Sequence, residues 1–165
     1  MRVQTRILAS VSSRLQDELK QTRPWGTLQE EAALNIARTA AILDHETAQV
    51  MKPFGVTPTQ YNVLRILRGA GASGLCRNEV GARLIRPVPD VTRLLDRMEE
   101  MGWIDRRRSE SDRRFVTTVI TERGSVLLTE LDGPIVAFLQ QRLNHMGDEQ
   151  LRAVVSLMEG VRSPR

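Results

Sequence analysis

The segment from Pro89 to Thr121, PDVTRLLDRMEEMGWIDRRRSESDRRFVTTVIT, constrains this chain more than any other part of it. Pro89 suits the first position of a helix, where the N–H that proline lacks is not needed. Gly102 can take the left-handed conformation that closes one. A helix is therefore expected over 89–101. Leu94, Leu95, Met98 and Met101 fall at helical spacing and can share an inward face. Thr92, Arg93, Asp96 and Arg97 then lie on the other faces. Trp103-Ile104 and Phe115 to Ile120 are rich in aromatic and β-branched residues, so both are expected to be strands. Between them sits RRRSESDRR, residues 106–114, with five Arg against Glu110 and Asp112. A helix followed by a β-hairpin with a basic tip is the outline of a winged helix on DNA.

Charge follows the same layout. Residues 61–114 carry 12 Arg and 8 acidic residues, a net of +4, whereas 28–60 sum to −2 and 115–165 to −1. The first 27 residues add +3, giving the whole chain +4. A basic middle with slightly acidic flanks is compatible with a nucleic-acid partner without proving one. Aromatic residues are only 4% of the chain while hydrophobics reach 41%, so aliphatic side chains must fill the core. That favours packed helices. No run approaches the ~18 apolar residues of a membrane span. The opening residues have charge but no continuous apolar block, so they are not read as a signal peptide. One Cys excludes an internal disulfide and fits a reducing, cytoplasmic setting.

Along the chain, Val3, Ile7, Val11, Leu15 and Leu19 recur every four residues and predict a striped helix over 3–22. Pro24-Trp25-Gly26 breaks it. Thr27-x-x-Glu30 has the form of a capping box, opening a helix to about Met51. Thr57-Pro58-Thr59-Gln60 starts another, which stops in the Gly-rich segment 69–74. A short helix is expected over 77–84, with 85–88 as the turn to the next. Thr121 can cap a helix that bends or breaks at Gly133-Pro134. Asp148 is expected to cap a last one carrying Leu151, Val154, Val155 and Met158. The terminal helices have apolar stripes and no evident layer within the chain to bury them, which two copies packing together would supply.

Three pieces, in order and spacing, carry a resemblance to a known family: VTRLLDRMEEMGWIDRR (91–107), Asp112-Arg113-Arg114, and the exit Ile120-Thr121-x-x-Gly124. They resemble the MarR (multiple antibiotic resistance regulator) family of winged helix-turn-helix transcription factors. The likeness extends more loosely over residues 28–161 and leaves out the first two dozen. It implies a mostly α fold with a small β-hairpin. Residues 57–120 would form the winged helix-turn-helix lobe, and 1–56 and 121–165 the dimerisation helices. It also implies a cytoplasmic, homodimeric regulator of double-stranded DNA, read as a repressor, on a pseudo-palindromic operator. No cofactor or enzymatic activity is implied.

On that reading the major-groove candidates are Pro89, Asp90, Thr92, Arg93 and Arg97. Arg takes guanine O6 and N7 with two hydrogen bonds. Arg93 and Arg97 stand at i and i+4, on one face. They either read DNA or pair with Asp90, Asp96 or Glu100. At the wing, the resemblance puts Arg114 in the minor groove with Asp112 orienting it. Arg113 and the run 106–108, including Arg107, suit phosphates. The family also implies a small phenolic or aromatic-acid effector, for which Trp25, His45, Tyr61 and Arg65 are candidates. Cys76, at the cap position of Cys76-x-x-Glu79, is the one redox candidate. Two His and one Cys give no zinc-ligand spacing. The alternative function is a winged-helix module that assembles with proteins and does not read DNA.

Overall fold

A computed structural model describes residues 14–108 and 116–163. The expected stripe positions Val3, Ile7 and Val11 lie outside these residues, as do Phe115, Glu110 and the motif Asp112-Arg113-Arg114. The chain divides into two units between His45 and Glu46.

The first unit holds α1 (Arg14–Glu18) and most of α2 (Leu28–Met51). The helix expected to reach residue 22 stops at Glu18, because the backbone turns at Lys20, whose φ is 52°. Gln16 Nε2 donates to the Arg23 carbonyl at 3.0 Å and holds the chain that follows. Thr27 Oγ1 accepts from the Glu30 N–H at 3.1 Å, as the capping pattern requires. Glu30 itself reaches one residue further back and accepts from the Gly26 N–H at 2.9 Å.

The second unit contains α3 (Pro58–Ala70), α4 (Arg77–Arg83), α5 (Val91–Glu100), α6 (Glu122–Leu143) and α7 (Asp148–Arg162). It also holds strands β1 (Leu75–Cys76), β2 (Ile104–Arg108) and β3 (Val116–Ile120), antiparallel in the order β1-β3-β2. The register pairs Leu75 with Thr118, Ile104 with Ile120 and Arg108 with Val116. α3 is central: Val63, Leu64 and Leu67 are fully buried among Met51, Val80, Leu95, Met98, Leu128 and Leu131. Thr57 and Gln60 cap α3 reciprocally, with Pro58 just inside, as the sequence indicates.

Three expectations are corrected, and one strand is added. Pro89 is outside α5, because Asp90 takes the N-cap and accepts from the Arg93 N–H at 2.9 Å. A carboxylate in that position satisfies a free N–H, which proline at the first turn cannot match. Arg106 to Arg108 belong to β2 rather than to a tip, since β3 supplies them with backbone partners. β1 was not expected, two residues being too short to show a period. Of the bend or break expected at Gly133-Pro134, the break does not occur: α6 continues through it. A proline inside a helix costs about 3 kcal/mol, and the buried Leu128, Leu131 and Ile135 on either side offset it. A smaller shift occurs at α7, where Gly147 rather than Asp148 is the cap residue.

Candidate nucleic-acid interface

α5 is fixed at both ends. Its start is the Asp90 cap. Its end is a closing turn in which Gly102 N–H donates to the Glu99 carbonyl (2.8 Å) and Trp103 N–H to the Met98 carbonyl (3.0 Å). Gly102 has φ 72°, the left-handed conformation that this turn needs. One side of the helix is anchored by buried Leu95 and Met98. Against α4 the approach is close: a Cβ on Gly81 would stand 3.1 Å from Val91 Cγ2. The intervening turn is held where Ile85 N–H donates to Asn62 Oδ1 of α3, at 2.9 Å.

The solvent side of α5 carries Arg93 and Arg97, both exposed. The carboxylates that could neutralise them are largely engaged elsewhere. Asp90 has one oxygen on the Arg93 backbone N–H. Asp96 accepts from Arg106 Nη2 of β2 at 2.5 Å, and Glu99 Oε2 lies 3.5 Å from Arg106 Nε. Among the described residues, neither Arg93 nor Arg97 has a side-chain ion pair or hydrogen bond.

Thr92 is half-buried, and its Oγ1 accepts from Arg77 Nη1 at 3.1 Å. Arg106 Nη2 also reaches the Thr92 carbonyl at 3.4 Å. Arg107 is exposed on β2, with Nε 3.2 Å from Asp105 Oδ2. Asp112, Arg113 and Arg114 lie outside the described residues. Pro89 is exposed and lines a cleft of about 450 Å³ with Arg77, Asn78, Asp90 and Thr92. A second cleft, of about 440 Å³, lies between α4, α5 and the sheet and is lined by Cys76, Arg77, Thr92 and Arg106.

Of the effector candidates, Trp25 and His45 belong to the first unit, Tyr61 and Arg65 to the second. Tyr61 is buried, and the Arg65 guanidinium carbon sits 5.8 Å from the centre of its ring, a cation–π distance. Cys76 is half-buried and its N–H donates to Glu79 Oε2 at 2.8 Å. This bond, first among the causes, holds the Glu79 carboxyl below its ordinary value. Sequence reasoning missed Arg77 and the pairing role of Arg106. The first was visible only as a basic residue at the start of a short helix. The second needs the wing strand to be folded back along α5, which periodicity does not reveal.

Helix α4, the turn, α5 and the β2–β3 pair together make a winged helix-turn-helix, the architecture of a DNA-binding protein. A family model described as the MarR family matches residues 54–114. The HTH-type transcriptional regulator YwoH of Bacillus subtilis is 30% identical over 118 residues, 72% of this chain and 84% of that protein. The chain belongs to the MarR family of DNA-binding transcriptional regulators. A MarR transcription factor from Planctomyces limnophilus is 31% identical, with 82% of this chain and 98% of that one covered and a TM-score of 0.63. The transcriptional repressor CouR, solved bound to a 23-mer DNA duplex, shares the fold with a TM-score of 0.75. It is 23% identical, with coverage of 86% and 99%. Among the described residues no helix is long and apolar enough to cross a membrane.

Proposed function

We propose that the protein is a homodimeric repressor of a pseudo-palindromic operator. α5 enters the major groove, with Arg93 and Arg97 at the base edges. The wing, with Arg107, Asp112, Arg113 and Arg114 taken from the family resemblance, follows the backbone and the adjacent minor groove. The observation that supports this reading is the unpaired state of Arg93 and Arg97 beside carboxylates already engaged by Arg106 and by the α5 cap. A guanidinium free of carboxylates keeps its donors for guanine. Dimerisation is supported by α7, where Val154, Leu157 and Val161 stand at i, i+3 and i+7 on one side and are 44%, 66% and 61% exposed. An apolar helix face left in water marks a contact surface.

Selection of duplexes from a random library by the full chain tests the proposal. The expected product is a two-fold site with half-sites about one helical turn apart. Recovery of no common sequence would overturn sequence-specific reading. A phenolic or aromatic-acid effector, carried by the family resemblance, must favour the form that does not bind DNA, since equal affinity for both shifts nothing. Salicylate added at millimolar concentration is expected to release the selected duplex in a gel-shift titration. No release would remove this class of effector from the proposal.

A further inference from the structure

We propose that Arg77, with Asn78 and Thr92, grips one phosphate of the DNA backbone at the edge of the groove that α5 enters. This rests on the reading that α5 docks in the major groove. Arg14, Arg38, Arg68, Arg106, Arg107 and Arg142 each lie within ion-pair distance of a carboxylate. Arg77 is held by neutral acceptors: Nε to Asn78 Oδ1 at 3.3 Å, Nη2 to the same oxygen at 3.2 Å, and Nη1 to Thr92 Oγ1 at 3.1 Å. Its orientation is fixed across two helices while, among the described residues, no carboxylate pairs with it.

The guanidinium has five N–H donors, and these bonds use three, leaving one on each terminal nitrogen. A phosphodiester can accept two parallel N–H bonds from such a fork. Thr92 Oγ1 accepts from Arg77, so its own proton is free to donate. The Asn78 amide nitrogen has no acceptor among the described residues. Three kinds of donor thus converge on the two clefts that flank the first turn of α5. Arg106, the other guanidinium on the first cleft, already faces Asp96 and Glu99. Asp90, on the second, has one oxygen on the Arg93 N–H.

Location selects phosphate over a base edge. Arg77 is on α4, the first helix of the pair, and in this docking geometry the first helix crosses the backbone while the second meets the bases. Backbone contacts position the protein and carry no sequence information.

The test uses the full chain, a duplex selected from a random library by the wild type, and a scrambled duplex of the same composition. Arg77→Ala is expected to weaken both by the same factor and to make log K against log salt shallower by ~0.9 per subunit. A neutral methylphosphonate is then placed at each backbone position around the half-site. The wild type should lose affinity at one position per half-site where Arg77→Ala is indifferent. Arg77→Lys keeps the charge and loses the fork, so its salt slope should match wild type while its affinity falls. It also carries the test if the alanine variant does not fold. Wild-type affinity and slope in Arg77→Ala would overturn the proposal. So would a loss confined to the selected duplex, or a changed slope in Arg77→Lys. A wild type that binds both duplexes equally fails the operator reading instead, and the Arg77 slope remains measurable on the scrambled duplex.

Discussion

Arg106 of β2 and Asp96 of α5 form an ion pair that fastens the wing to the recognition helix. On an isolated helix, Asp96 would face Arg93 three residues earlier, at pairing distance. By occupying Asp96, Arg106 keeps this carboxylate from Arg93. The wing strand and the reading helix are therefore coupled through charge as well as through packing.

That coupling makes a rescue experiment. Arg106→Ala should weaken binding of the selected duplex, because freed Asp96 turns to Arg93. Adding Asp96→Asn in the same chain should restore part of the loss. The pair's own contribution to folding is small, about 0.2–1 kcal/mol, since Asp96 is half exposed. Binding isotherms for the four members of the cycle supply the readout. Additive losses in the double variant would show that Asp96 has no part in restraining Arg93.

The exit motif Thr121-x-x-Gly124 has a steric basis. Thr121 Oγ1 donates to the Gly102 carbonyl at 2.7 Å and accepts from the Gly124 N–H at 3.1 Å. A Cβ on Gly124 would collide with the Trp103 carbonyl oxygen. Gly124→Ala should therefore destabilise the fold by about 1–3 kcal/mol, the range for overpacking. A lowered denaturant midpoint with an unchanged slope is the expected result. An unchanged midpoint would mean that α6 can shift away from β2 without penalty.

Gly124 was legible only through the family motif, its constraint coming from the distant Trp103 carbonyl. Gly102 was legible because a helix end needs a left-handed residue, which a sequence states directly. The same holds for the caps at Thr57 and Thr121, which use short side chains next to their targets. The recognition helix was visible from Leu94, Leu95 and Met98, yet its first residue was not. Proline and aspartate both favour helix starts, and only the folded turn shows that Asp90 takes the cap. A break at Pro134 was not realised because the burial that carries α6 through it comes from other helices. The candidate base contacts Arg93 and Arg97 were named from their spacing and their place on the helix. Their surroundings depend on Arg106, thirteen and nine residues away, and on strand register. Arg77 depends on α4 meeting α5, a contact that no local pattern encodes.

Glu79 gives a pH-dependent prediction. Its carboxyl lies below its ordinary value because it accepts from the Cys76 N–H, with Arg83 adding attraction. A depressed acid stabilises the folded state above its unfolded value, and the effect fades as pH falls through the folded one. Glu79→Gln should thus lower stability at neutral pH, with the difference from wild type vanishing in acid. Denaturation curves across this range measure it. A constant difference at every pH would assign the effect to packing.

Assembly is tested on α7. Leu157 and Val161, four residues apart on one side of the helix, are exposed large apolar residues in the single chain. An obligate pair of subunits should bury more than ~2,000 Å² in total. Replacing Leu157 or Val161 with Asp puts a carboxylate in that surface and should yield monomers that retain the helical content of the wild type. Sedimentation velocity at micromolar concentration distinguishes the species. A wild type that sediments as a monomer removes the dimer, and with it the two-fold operator.

The recognition helix and the wing should fail in different ways. Arg93→Ala or Arg97→Ala removes a bidentate contact, which on a guanine is worth ~1–3 kcal/mol of discrimination. Each should relax preference at one base pair in each half-site, at positions two different arginines do not share. Arg107→Ala should act on all duplexes alike, because a residue on phosphate reads no base. Its salt slope should become shallower by less than the ~0.9 of a full phosphate contact, because Asp105 already shares its charge. All three side chains are exposed, so the variants should melt like the wild type. Competition binding against a panel of single-base operator variants separates the cases. If Arg93→Ala and Arg97→Ala weaken every duplex equally, both arginines lie on the backbone and the bases are read from elsewhere on the helix.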